Sequence, residues 1–221
     1  MASFIKLKNP PIREIVFSIS FYETVAVSRL ECFKELPEIS NTFKVADKGF
    51  NTEVIAKINE QPTSNTTLDG YVLRSSNALS KIIQARRGSF ALHKVNGYEE
   101  FEILIKEFFE FWDLLIKCTG KLTVNNISVR YLNFIEKKPT EKISDLITIT
   151  TTHPYGEAID NNFTQYKFKY DKKPEIESTI IIAKGKNGDT DGIVLDIILN
   201  KKIINEANKE FSVNFIITFI I

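Results

Sequence analysis

One arginine in this chain stands where a core residue is expected, so chemistry is sought there first. In a strand the side chains alternate, and in Ile127-Ser-Val-Arg-Tyr-Leu-Asn-Phe-Ile135 the residues Ile127, Val129, Tyr131, Asn133 and Ile135 share one face. Arg130 lies on the other, between Leu132 and Phe134. A guanidinium on an apolar face is costly to bury unless a carboxylate meets it. Two carboxylates have reason to be inside. Glu14 shares a strand face with Val16, Ser18 and Ser20, while Asp196 has Val194 and Ile198 on its own face and Leu195 and Ile197 on the other. The pattern predicts that Arg130 pairs with one or both, with Asn133 or Tyr131 bonding nearby. A fold-specifying ion pair is the favoured reading and a ligand site the alternative.

Other chemistry finds less support. Asn187-Gly-Asp-Thr-Asp-Gly192 matches the opening of a calcium loop, but the glutamate such a loop needs at its twelfth position would fall on Ile198. Gly, Asn and Asp are also what a hairpin turn requires, and the segment reads as a turn. His93 and His153 are single histidines with no second ligand at metal spacing, so they read as ordinary residues and no metal or cofactor is expected. Cys118 follows a helix end instead of a start, and Cys32 sits among Leu30, Phe33 and Leu36. Both read as reduced thiols in unlike surroundings. No Gly-x-Ser-x-Gly turn, Gly-x-x-x-x-Gly-Lys-Ser/Thr loop or Gly-x-Gly-x-x-Gly fingerprint is present. A catalytic role is therefore left open but not favoured. Lys81, Arg86, Arg87 and Lys94 fall on one strand pair, and Lys167, Lys169, Lys172 and Lys173 lie among Tyr166, Phe168 and Tyr170. Such interleaving can track single-stranded nucleic acid, with Arg86 and Arg87 as contacts. With a net charge of +1 there is no field to support it, and half-buried strands showing a polar face are the preferred reading.

The elements that must position these residues follow from periodicity. Residues 12–21 alternate as a half-buried strand, and 25–36 form a weak helix ended by Pro37. Strands are expected at 43–45, 53–58, 70–76 and 81–95, the last split near Gly88, with a loop at 62–69. From Tyr98 to Lys117 apolar residues recur at three- and four-residue steps, including Phe101, Leu104, Phe108 and Trp112, with Gly120 as the C-terminal cap. A strand at 126–135, a short helix at 139–146, strands at 146–152, 163–170, 177–184 and 192–200, and a helix at 203–211 complete the pattern. The chain of 221 residues, 43% hydrophobic and 26% charged, is long enough for one large domain or two small ones. The order suggests an α+β architecture: curved antiparallel sheets with a long amphipathic helix packed on one face. It reads as a degenerate duplication of a helix-grip-like unit, with units at 1–120 and 121–221 that either share one core or stand apart. No signal-peptide pattern is seen, and the apolar residues 212–221 fall short of the ~20 needed to span a bilayer. A cytoplasmic protein without membrane contact is expected.

Asn9-Pro-Pro-Ile-x-Glu14-x-Val-Phe17, Gly70-Tyr71, the aromatic helix from Tyr98, and Arg130-Tyr-x-Asn133 together resemble a sporadically distributed bacterial family of somewhat longer, uncharacterised proteins. The resemblance runs to about Asp196; beyond it the family continues through a longer amphipathic helix, whereas this chain ends Phe-Ile-Ile-Thr-Phe-Ile-Ile221, as a truncated or frame-shifted end would. It implies no catalytic residues. Patchy distribution implies an accessory or defence-associated role, and a binding protein with another protein as partner is the expected function. A small-ligand receptor or enzyme with a cavity between sheet and helix, and a single-stranded nucleic-acid binder, are the rivals; homo-oligomerisation is left open.

Overall fold

Residues 12–21 place Ile15, Phe17, Ile19 and Phe21 on one side and small or polar residues on the other. This strand, β1 (Ile12–Phe21), becomes the middle of the molecule. The computed structural model describes residues 10–56, 61–76, 80–97, 99–141, 143–147, 163–171 and 173–203. After β1 come α1 (Val27–Glu35), α2 (Pro37–Ser40), β2 (Val45–Ile55), β3 (Thr63–Arg74), β4 (Lys81–Arg86), β5 (Ser89–Val95) and α3 (Phe101–Thr119). They are followed by β6 (Val124–Glu136), α4 (Ile143–Leu146), β7 (Phe163–Tyr170), β8 (Lys173–Asn187) and β9 (Thr190–Lys202). The nine strands form one antiparallel sheet in the order β2-β3-β4-β5-β1-β6-β9-β8-β7.

This corrects the expected fold class. Among the described residues there is no pair of helix-gripping sheets: a single large sheet dominates, and α3 is an added layer on part of it. The physical reason is that β1 is paired on both edges, with β5 on one side and β6 on the other. The second run of strands therefore extends the first sheet across Gly120. The segment expected as a loop at 62–69 is strand, because β3 begins at Thr63 and pairs with β2 along its length. In place of the two short strands expected at 43–45 and 53–58 there is one strand, β2, from Val45 to Ile55; residues 57 and 58 lie outside the described residues. The strand expected at 146–152 and the helix expected at 203–211 lie outside the described residues beyond Ile147 and Ile203, as does His153.

One face of β1 is packed by helix. Ile15, Phe17 and Ile19 are buried with Leu73, Ile83, Phe90, Leu92, Ile127 and Val129 from neighbouring strands, against Leu104, Phe108, Trp112 and Leu115 of α3. The Phe108 ring lies 5.5 Å from Phe90 and 6.0 Å from Phe17, centre to centre. Leu30 and Phe33 of α1 and Ile39 of α2 enter the same cluster, Phe33 meeting Phe90 edge to face. Full burial of each such side chain contributes about 1.5–3 kcal/mol, so this layer carries much of the stability. Gly120, at φ 81°, ends α3 as expected, its N–H donating to Ile116 O at 2.8 Å. No described helix is long and apolar enough to cross a membrane.

The cysteines do not remain separate thiols. α1 packs beside α3, bringing the Cys32 and Cys118 Cα atoms to 6.0 Å, and the two sulfurs are bonded across 86 residues of sequence. Sequence distance hides this pairing, since only the shared packing of α1 and α3 on the sheet makes the two neighbours. Closing a loop of this length is expected to stabilise the fold by about 2–4 kcal/mol. Thermal melts should therefore show a lower midpoint for the wild type in reductant, matching Cys32→Ser with or without it. An unchanged wild-type midpoint in reductant would mean that the bond does not support the fold.

Candidate functional site

The face of the sheet opposite the helices carries an ion pair and a histidine–carboxylate hydrogen bond at its centre. β-pairing sets His93, Val16, Arg130 and Ile198 opposite one another across β5, β1, β6 and β9. The next row is Val95, Glu14, Leu132 and Asp196. Diagonal neighbours on one face are within reach of long side chains, and both polar contacts are diagonal. Arg130 donates from Nε to Asp196 Oδ1 at 2.8 Å and from Nη2 to Asp196 Oδ2 at 2.7 Å. His93 Nδ1 lies 2.7 Å from Glu14 Oε1, and because an ionised carboxylate can only accept, the ring nitrogen donates.

Electrostatics follow from this layout. The bond from His93 holds the Glu14 carboxyl below the ordinary glutamate range; burial opposes, and the charges of His93 and Arg130 add to the lowering. The bidentate bond to Asp196 raises Arg130 further above its already high range, against burial, with Glu14 adding to it. The Asp196 side chain is 7% exposed, whereas Arg130 is 41% exposed.

Arg130 thus meets Asp196, while Glu14 meets His93 and feels Arg130 only through its field. Asn133 is buried and donates from Nδ2 to Leu195 O at 3.0 Å and Tyr131 O at 3.3 Å, bridging β6 to β9. The Tyr131 side chain packs on the core cluster on the helix side. These contacts do a specific job. From Ile193 to Leu199 strand β9 is apolar on both faces, and Asp196 is its one charged residue. An alternating pattern normally fixes register, because a one-residue slip turns every side chain to the other face. Here apolar residues on both faces discriminate little against the slip; the Arg130–Asp196 fork works against it, together with Gly192, whose missing side chain leaves room for the Phe134 ring.

Residues that sequence reasoning passed over complete the picture. Nothing in the sequence around His93 marks it out; only the β1–β5 register places it beside Glu14, and its Nε2 is buried without a hydrogen-bond partner among the described residues. Lys81, expected among exposed basic residues, is instead buried, with Nζ against Glu107 and 3.2 Å from Glu99. Burial works against its charge, but the two carboxylates outweigh it and hold the ammonium above the ordinary lysine range. The signal was present in Glu107, which sits three residues after Leu104 and four before Phe111, on the margin of the apolar stripe. Arg86 donates from Nη1 to Asp69 at 3.0 Å and lies over Gly49, and Arg87 donates from Nε to Val25 O at 3.3 Å. The Asn187–Gly192 segment contains the β8–β9 hairpin turn, which is Gly188-Asp189 between paired Asn187 and Thr190, with Gly188 at φ 60°. Among the described residues no group of three or more metal-ligating side chains is gathered.

No protein-family model and no curated protein matches the chain.

Arg130→Ala strands the buried Asp196 carboxylate and is expected to cost about 3 kcal/mol, the low end for a broken buried pair because the guanidinium is partly in water. Replacing both partners, Arg130→Met with Asp196→Leu, should recover most of that in denaturant unfolding. The double variant should also give doubled amide resonances along β9, reporting a second register; one set of peaks at wild-type positions would show that the fork does not set it. Glu14 gives a separate test. Its folded value is depressed, so its contribution is complete above the unfolded value and is lost as pH falls through the folded one. Melting midpoints should drop below about pH 4.3, where unfolded glutamate titrates. Glu14→Gln should show a shallower drop, and equal slopes would remove Glu14 as a contributor.

Proposed function

We propose that this chain is a binding protein that engages a protein partner along the edges of its sheet. One observation carries the reading. Of the nine large apolar side chains exposed among the described residues, seven lie on the two edge strands: Val45, Phe50, Val54 and Ile55 on β2, and Phe163, Phe168 and Tyr170 on β7. An edge strand already offers unpaired backbone donors and acceptors, and apolar side chains beside them make it a template for an added strand. Scattered exposed residues would carry no such meaning.

The polar network supports the same reading by being largely satisfied within itself, as a fold-specifying feature is. The nucleic-acid rival has less support, since Arg86 and Arg87 bond within the chain. A ligand on the face opposite the helices is the second reading, and what favours it is His93 Nε2, without a hydrogen-bond partner among the described residues, on the same face as the half-exposed Arg130. The resemblance to an accessory bacterial family fits a partner-binding role. The cytoplasmic setting expected from sequence is a proposal too, and the Cys32–Cys118 bond counts against it, because disulfides persist chiefly in oxidising compartments.

Tagged wild type should co-purify a stoichiometric protein partner from its own host. Val54→Lys or Phe168→Lys should weaken that capture at least about tenfold, equivalent to ~1.4 kcal/mol. Capture of a small molecule instead, lost in a His93→Ala variant that melts like wild type, would establish the ligand reading in its place.

A further inference from the structure

The β2 edge has an internal symmetry that selects one partner. All of β2 except Gly49 is exposed, and among the described residues no strand pairs with its outer edge. β3 pairs with β4 only from Gly70 to Arg74. The distal part, Phe50–Ile55 on Thr63–Leu68, is therefore a two-stranded ribbon reaching past the rest of the sheet, with a register shift at Gly49/Phe50. A two-stranded ribbon is marginally stable in water, and a third strand with an apolar contact is what it lacks.

Resting on the edge-binding reading above, we propose that the third strand is β2 of a second copy, running antiparallel in a register centred on Phe50. In a two-fold dimer of this kind opposite residues lie on the same face. Val45 and Ile55 each stand five residues from Phe50, and Ala46 and Val54 each stand four. The register therefore sets Phe50 on its own mate, Val45 against Ile55 and Ala46 against Val54. Every exposed large apolar residue of β2 gains an apolar cross-strand neighbour. Moving the centre to Asn51 would put Val54 against Lys48 and Ile55 against Asp47. Moving it to Gly49 would put Val45 against Glu53 and Phe50 against Lys48. The chosen register does bring Asp47 opposite Glu53, and that repulsion is offset by Arg74, whose Nε donates to Asp47 at 3.1 Å. Pairing also lays residues 45–50 of one copy along the ribbon of the other, so each supplies the strand the other is missing.

Light scattering on eluting fractions over a range of concentrations should show a dimer for wild type and a monomer for Val54→Lys. That side chain is 63% exposed, so the variant should melt like wild type. Cysteine cross-linking tests the register, since opposed Cα atoms about 4.5–5.5 Å apart are within disulfide reach. Phe50→Cys should cross-link to itself. Val45→Cys and Ile55→Cys should do so only when the two variants are mixed. A wild type monomeric at every concentration, or a dimer in which Phe50→Cys does not cross-link, overturns the proposal. If a monomeric wild type still captures a different protein that Val54→Lys releases, self-pairing fails while edge binding stands. If it captures nothing that an edge variant loses, both fail.

Discussion

The fork between Arg130 and Asp196 is the contact on which the C-terminal half of the sheet depends. A β-ladder is nearly indifferent to sliding by itself, because its backbone bonds repeat, and side chains must choose the alignment. Along β9 they barely choose, since Ile, Val and Leu occupy both faces around Asp196. Two charge-assisted bonds of fixed geometry supply the missing choice, and the Asn133 amide on Leu195 O repeats it from the other face of β6. Once β9 is aligned on β6, the tight β8–β9 turn aligns β8, and β8 in turn aligns β7. A slip at Asp196 would propagate through three strands. A buried ion pair adds little net stability in general, so specificity is the more economical account of its presence.

The other half is held differently. Over β3, β4, β5, β1 and the start of β6, an aromatic layer from α1, α2 and α3 covers the sheet, and the strict alternation of β1 and β4 makes register unambiguous there. The Lys81–Glu99–Glu107 triad and the Cys32–Cys118 bond hold the layer in place. Glu14, on the strand that pairs with both halves, and His93, beside it on β5, stand at the junction of the two regimes. That position explains why the network lies on the open face: the helix-covered face of β1 is filled with phenylalanine and isoleucine, and an unneutralised charge there would have no water to fall back on.

How much of this was legible in the sequence varies with the kind of signal. Alternation gave β1, and three- and four-residue steps gave α3, because both are amphipathic and lie against one core. Arg130 and Asp196 could be singled out as charges flanked by apolar residues on strands. Their pairing with each other, and of Glu14 with His93, is a matter of strand order and register, which no single strand records. Residues 62–69 read as a loop because Thr, Ser and Asn are the chemistry of turns. In the structure they are an exposed ribbon, where the same residues serve as hydrogen-bonding strand surface, as the Thr52–Thr66 hydroxyl contact at 2.9 Å shows. The expected duplication failed for a comparable reason. The strand pattern does restart after Gly120, but a restart in sequence does not say whether the new strands open a second sheet or join the first.

The two edges of so wide a sheet pose a problem that the other described elements do not solve. Proteins commonly blunt edge strands with lysine, proline, bulges or covering loops. β7 carries Lys167 and Lys169, whereas β2 carries one lysine, no proline and four exposed large apolar side chains. Its irregularity is on β3, where Gly70, at φ 150°, has Ala85 O so close that a side chain could not be fitted. That glycine marks where the ribbon parts from β4, and beyond it no described strand pairs with the β2 edge. The backbone is thus shaped to present this edge, at the expense of β3–β4 pairing. A ribbon that lacks a third strand in the isolated chain has most to gain from one supplied by a partner, so order in the ribbon and occupancy of the edge should rise together.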